Sequence, residues 1–159
     1  MKKIICGLLF ILACGATFTA CSDDDDDLQK HATAPETASA GTYSGTWTKA
    51  QIGATTEHAT GEGTMVLAAA VDENGNQIPY ATTVTVKSES LKLDKTSIAN
   101  VAWSNDNMSF SSQVLSNGFG TKFSGRVLAD GSASISFTIT EKQGRKTFNY
   151  LYTFKGNKQ

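Results

Sequence analysis

From residue 41 onward, apolar side chains occupy every second position with Ser, Thr or Lys between them, and Gly- or Asn-containing dipeptides interrupt the runs. A period of two is that of a β-strand, whose side chains alternate between the faces of a sheet. The clearest run, 146–155, puts Phe148, Tyr150, Tyr152 and Phe154 on one face and Thr147, Asn149, Leu151 and Thr153 on the other. Its predecessor sets Ile135, Phe137 and Ile139 against Ser134, Ser136, Thr138 and Thr140. Six earlier runs, at 42–48, 64–71, 80–87, 97–103, 108–114 and 120–128, bring the predicted strands to eight.

The breaks are Asn74-Gly75, Asn105-Asp106, Asn117-Gly118, Asp130-Gly131 and Gln143-Gly144, residue types that accept the positive φ of a short hairpin. Successive strands are therefore expected to be antiparallel neighbours. A sheet with one aromatic-rich face must close on itself or pack on a second sheet to bury that face, and closure also removes exposed edges. The expectation is an all-β fold, an eight-stranded antiparallel up-and-down β-barrel, with a β-sandwich as the alternative. No helical period of useful length follows the first twenty residues.

Those twenty residues differ in kind. Met1-Lys2-Lys3 precedes an apolar run from Ile4 to Phe18, too short and wrongly flanked for a membrane span but suited to an export signal. Thr19-Ala20-Cys21 ends it, followed by Ser22 and five aspartates, Asp23 to Asp27. Phe18-Thr19-Ala20-Cys21 resembles a bacterial lipobox, which implies cleavage before Cys21 and lipidation of its sulfur. Ile11-Leu12-Ala13-Cys14 is a rival, and an ordinary secretory signal is the plainer reading. Cys21 is favoured because cleavage there puts the acidic run directly behind the lipid and leaves no apolar tether. That run resembles the signal of Bacteroidota surface lipoproteins, implying display on the outer membrane; it would also keep a tether extended by self-repulsion. The expected divisions are a signal peptide at 1–20, a flexible acidic tether at 21–40, and one folded domain at 41–159.

All three cysteines, Cys6, Cys14 and Cys21, precede the domain, so its stability is expected to come from packing. The domain carries 11 Lys/Arg and 9 Asp/Glu, a balance of +2 that gives no argument for nucleic acid. His58 is its single histidine, and Glu57, His58 and Glu62 are a weak metal grouping. Asp72 to Asn76 imitates a calcium loop, but Gln77 and Thr83 stand where its glycine and glutamate belong. Glu89, Asp94, Asp106, Asp130 and Glu141 are scattered at or near turns, with no pair set for glycoside hydrolysis. The expectation is a non-enzymatic protein without cofactor or metal.

Gly45-Thr46-Trp47, within Gly41 to Trp47 of the first strand, resembles the opening strand of calycin barrels such as lipocalins, and the calycin-like lipoprotein domains of gut Bacteroidota. The resemblance implies a tryptophan closing one barrel end beneath a basic side chain from the last strand. Lys155 lies in that strand, with parity opposite to the aromatics, and Arg145 and Lys146 stand at its other end. It also implies capture of a small apolar molecule or glycan fragment, in the barrel or at its mouth, for an outer-membrane transporter. Tyr43, Tyr80, Tyr150 and Tyr152 would bring hydroxyls to that cavity, Trp47 would form its wall, and Trp103 would stack at the rim or staple a strand end. The alternative is a protein-interaction or inhibitor module with a filled core, using the loop 51–63.

Overall fold

The computed structural model describes residues 31–54 and 58–159, with Thr33–Gln159 forming one compact unit. The signal peptide, both lipobox candidates including Cys21, the acidic run and Glu57 lie outside the described residues. Within the unit the order is α1 (Pro35–Ala38), β1 (Gly41–Gln51), β2 (His58–Val71), β3 (Gln77–Ser88), β4 (Leu93–Ser104), β5 (Asn107–Ser112), β6 (Phe123–Val127), β7 (Ser132–Gln143) and β8 (Lys146–Lys158). Each strand pairs antiparallel with the next, and β1 pairs with both β2 and β8, so the eight strands form one closed ring. Two stacked sheets, the sandwich alternative, are thereby excluded.

The inner face carries what the alternation predicts. Trp47, Met65, Val86, Phe110, Ile135 and Phe154 are buried to 2% exposure or less, and the opposite parity is largely Ser, Thr and charge. The Gly-x-Trp motif acquires a packing reason. Gly45 pairs with Gly63 on one side and Gly156 on the other, and a Cβ at any of the three would drive into neighbouring backbone. A Cβ at Gly63 would also lie 2.7 Å from Trp47 Cδ1, so this glycine makes room for the indole.

Three expectations change. Residues 35–38, placed in the flexible tether, form a helical turn whose Glu36 is buried and whose following Ser39 is fully so. The tether boundary at residue 40 thus falls inside the compact unit, which begins at Thr33. The loop 51–63 shrinks to 52–57, because β1 extends to Gln51 and β2 begins at His58. The longest connection is instead 113–122, within which Asn117 accepts from Phe119 N at 2.8 Å and donates to Ser112 Oγ at 3.0 Å and Thr121 O at 2.8 Å. These bonds deliver Phe119, from a loop rather than a strand, into the core.

Candidate functional site

The ring has two ends. At one, α1 packs against β2, β3 and β4, alongside the β2–β3, β4–β5 and β6–β7 turns. The other end holds residues 52–54 after β1, the connections 89–92 and 113–122, and the β7–β8 turn.

Along the axis the interior is occupied by rings in contact. Trp47 lies 5.0 Å from Phe154 and 5.8 Å from Phe137 by ring centroids. Phe137 stacks on Tyr152 at 5.5 Å and 7°, and Phe119 meets Phe137 edge-on at 4.9 Å while stacking on Phe123 at 4.3 Å. These separations are those of favourable aromatic pairs, not of walls facing across a void.

Above that stack, at the end away from α1, β1, β7 and β8 bring polar groups together. Lys49 is the inward position after Trp47 on β1, and Glu141 the second inward position after Phe137 on β7. Lys49 Nζ and Glu141 Oε1 stand 2.6 Å apart, with side chains 21% and 32% exposed. Tyr152 Oη donates to the same Glu141 oxygen at 3.0 Å, and Gln143 Nε2 donates to Tyr150 Oη at 3.1 Å. The Lys49 ammonium sits 4.2 Å from the Tyr150 ring centroid and 5.5 Å from that of Tyr152, within cation–π range of both. Phe148 lies beside Tyr150, with centroids 6.5 Å apart.

Electrostatics follow from this geometry. Burial pulls the Lys49 pKa down, but bonds to Glu141 and Tyr152 outweigh it and leave the ammonium above its ordinary value. Burial raises the Tyr152 phenol, Lys49 opposes that rise and Glu141 adds to it. The site at neutral pH is thus an ion pair with a neutral phenol, offering charged donor and charged acceptor side by side to a ligand.

No protein-family model, curated protein or solved structure matches this chain.

Of the six residues expected to contact ligand, two stand in this cluster, Tyr150 and Tyr152. Trp47 lies beneath it, wholly buried, its Nε1 donor without an acceptor. Its neighbours are aromatic rings and Gly63, while Lys155, the last-strand residue considered for packing over it, is exposed on the outer wall; Lys49 of the first strand lies over Tyr150 and Tyr152 instead of Trp47. Tyr43 is fully buried, with Oη donating to Ser39 O at 2.7 Å; it anchors α1. Tyr80 contradicts its assignment to the inner face. It is 65% exposed, because residues 78–81 bulge where the β2–β3 register jumps from Ala69↔Thr82 to Val71↔Gln77, and its φ of 57° turns the side chain out. Trp103 lies on β4, half-buried, and its Nε1 donates to Thr33 O at 3.2 Å, so it staples the segment before α1.

Lys49, Glu141 and Gln143 were missed. Lys49 shares the parity of Tyr43 and Trp47, a signal lost when the first strand is ended at Thr48. Ending the seventh at Thr140 likewise sends Glu141 to a turn. The calcium-loop resemblance resolves into turn chemistry, since Asp72 Oδ1 accepts from Asn74 N at 2.9 Å and Asn76 N at 2.8 Å.

Proposed function

We propose that this chain is a lipid-anchored, surface-displayed binding protein with a calycin-like barrel, taking a glycan fragment at the mouth formed by Lys49, Glu141, Gln143, Tyr150 and Tyr152. The observation that carries this reading is the pairing of a partly exposed Lys49–Glu141 ion pair with two tyrosines above a ring-filled interior. Sugar hydroxyls both donate and accept, matching adjacent carboxylate and ammonium groups, and aromatic ring faces suit the apolar C–H faces of a pyranose. A filled axis disfavours an apolar molecule sunk in the barrel. One carboxylate stands in the cluster, whereas glycoside hydrolysis uses two, so binding without turnover is the role assigned. Membrane attachment through Cys21 and delivery to an outer-membrane transporter belong to the same proposal and rest on the sequence motif alone.

The test is native mass spectrometry with denaturing extraction of the protein purified from its own host, followed by titration with neutral oligosaccharides. A stoichiometric sugar that Tyr150→Ala displaces, without loss of fold, supports the mouth; equal binding by Tyr150→Ala refutes it. A second reading, a protein-interaction module, draws on the same filled interior and on Ile52, Val114 and Leu115, each more than half exposed in connections at this end. An empty protein that pulls down a partner through Ile52 and Leu115 selects it.

A further inference from the structure

Three hollows on the outer wall run into one another. One of about 360 Å³ lies between the start of β6 and Leu151, with Lys122 on its rim. It shares Ser124 and Ser136 with a second of about 410 Å³, which in turn shares Arg126, Ser134 and Lys155 with a third of about 320 Å³ reaching Asn157. Together they form a trough along β6, β7 and β8. Its polar groups are set by register: Arg126 faces Ser134, which faces Lys155, and one row away Ser124 faces Ser136, which faces Thr153. Rows on one face lie about 6.6 Å apart and strands about 4.8 Å apart, so the heads make a regular grid.

Two further properties point to an occupant. No carboxylate lines any of the three hollows; the nearby Asp130 caps its own turn by accepting from Ser132 N at 2.8 Å. Among the described residues, Arg126, Lys155 and Lys122 have no ion pair, and the hydroxyls of Ser124, Ser134, Ser136 and Thr153 have no side-chain hydrogen bond.

We propose that this trough binds an acidic polysaccharide, its anionic groups between Lys122, Arg126 and Lys155 and its hydroxyls on the Ser/Thr grid. A nucleic-acid strand would need stacking rings, and the aromatic residues bordering the trough, Phe123, Phe137 and Phe154, are turned to the core. A peptide would need an open strand edge, and β6 is paired on both sides over Phe123–Val127.

The full chain is passed over immobilised dextran sulfate and neutral dextran, with polyaspartate and oligothymidylate as competitors. Stronger retention on dextran sulfate than on neutral dextran is expected, with both competitors at least tenfold weaker than free dextran sulfate. Arg126→Gln with Lys155→Gln lowers the affinity about tenfold, as expected for two exposed charge contacts, while Lys87→Gln with Lys95→Gln, removing equal charge from β3 and β4, stays within twofold. Equal loss in both double variants, equal competition by polyaspartate or oligothymidylate, retention on neutral dextran that Arg126→Gln with Lys155→Gln weakens as much as retention on dextran sulfate, or no retention on dextran sulfate each overturns the proposal. The competition result does not depend on how the variants fold.

Discussion

Trp47 carries an unpaired indole donor in the middle of the core, and an orphaned buried N–H costs about 1–3 kcal/mol. Trp47→Phe removes that donor along with some volume, so the two effects offset; it is expected to change stability by no more than about 2 kcal/mol, whereas Trp47→Ala costs about 3–5 kcal/mol through the cavity it leaves. Gly63→Ala is the opposite case. A methyl there meets both Trp47 and the Lys87 carbonyl, and neither the indole nor paired backbone has room to withdraw. Overpacking of about 1–3 kcal/mol is expected, and denaturant midpoints at constant slope measure all three variants. The core residues were legible because burial follows parity, and parity survives errors in strand ends. Lys49 and Glu141 were not, because a charged residue on an apolar parity resembles a strand terminus until the partner across two strands is known. Nothing local in β1 announces that Glu141 waits 92 positions away.

At the scale of single elements, the turns hold the acid response. Asp72 and Asp130 have pKa values below the ordinary carboxylate because each accepts hydrogen bonds within its own turn, chiefly from Asn76 and from Ser132. A depressed folded pKa adds stability above the unfolded value of 3.8 and loses it as pH falls through the folded value. Thermal melts should therefore weaken below about pH 4, and Asp130→Ala should flatten that dependence while lowering neutral-pH stability slightly. On the alkaline side Tyr43 and Tyr152 are raised, first by burial, and Lys49 is raised in net by its partners. Raised groups stabilise below their unfolded values and lose that contribution as pH rises through the folded ones, so stability should fall above about pH 10. The helical turn α1 escaped prediction because four residues cannot show a period; it is held by tertiary contacts. Tyr43→Phe strips the bond to Ser39 O and should cost about 1 kcal/mol, with faster amide exchange confined to residues 36–40. Tyr80 was misread for a related reason: strict alternation assumes a regular ladder, and the bulge after Pro79 is invisible to it.

For the whole molecule, the decisive interaction is between its first and last strands. Tyr43 through Gln51 pair with Lys158 back through Tyr150, so the ring closes only when its first and last strands meet. Hairpin turns and the polar/apolar alternation made seven of the eight pairings readable from neighbouring strands; the eighth is non-local and follows only from the need to bury one face. Truncation after Phe154 tests this closure. It removes the partners of Tyr43, Ser44, Gly45 and Thr46 and, with them, the partners of Ser132, Ala133 and Ser134 on β7, while every turn and the aromatic stack from Trp47 to Phe123 remain in the chain. If local hairpins sustained the fold, the shortened protein would melt cooperatively a few degrees lower and stay monomeric. If closure sustains it, two strand edges open at the α1 end, both offering unpaired backbone groups, and the product should self-associate and lose its cooperative transition. Sedimentation and calorimetry distinguish the two, and the second outcome is expected, because β1 and β7 have no other strand within the ring to take over those bonds.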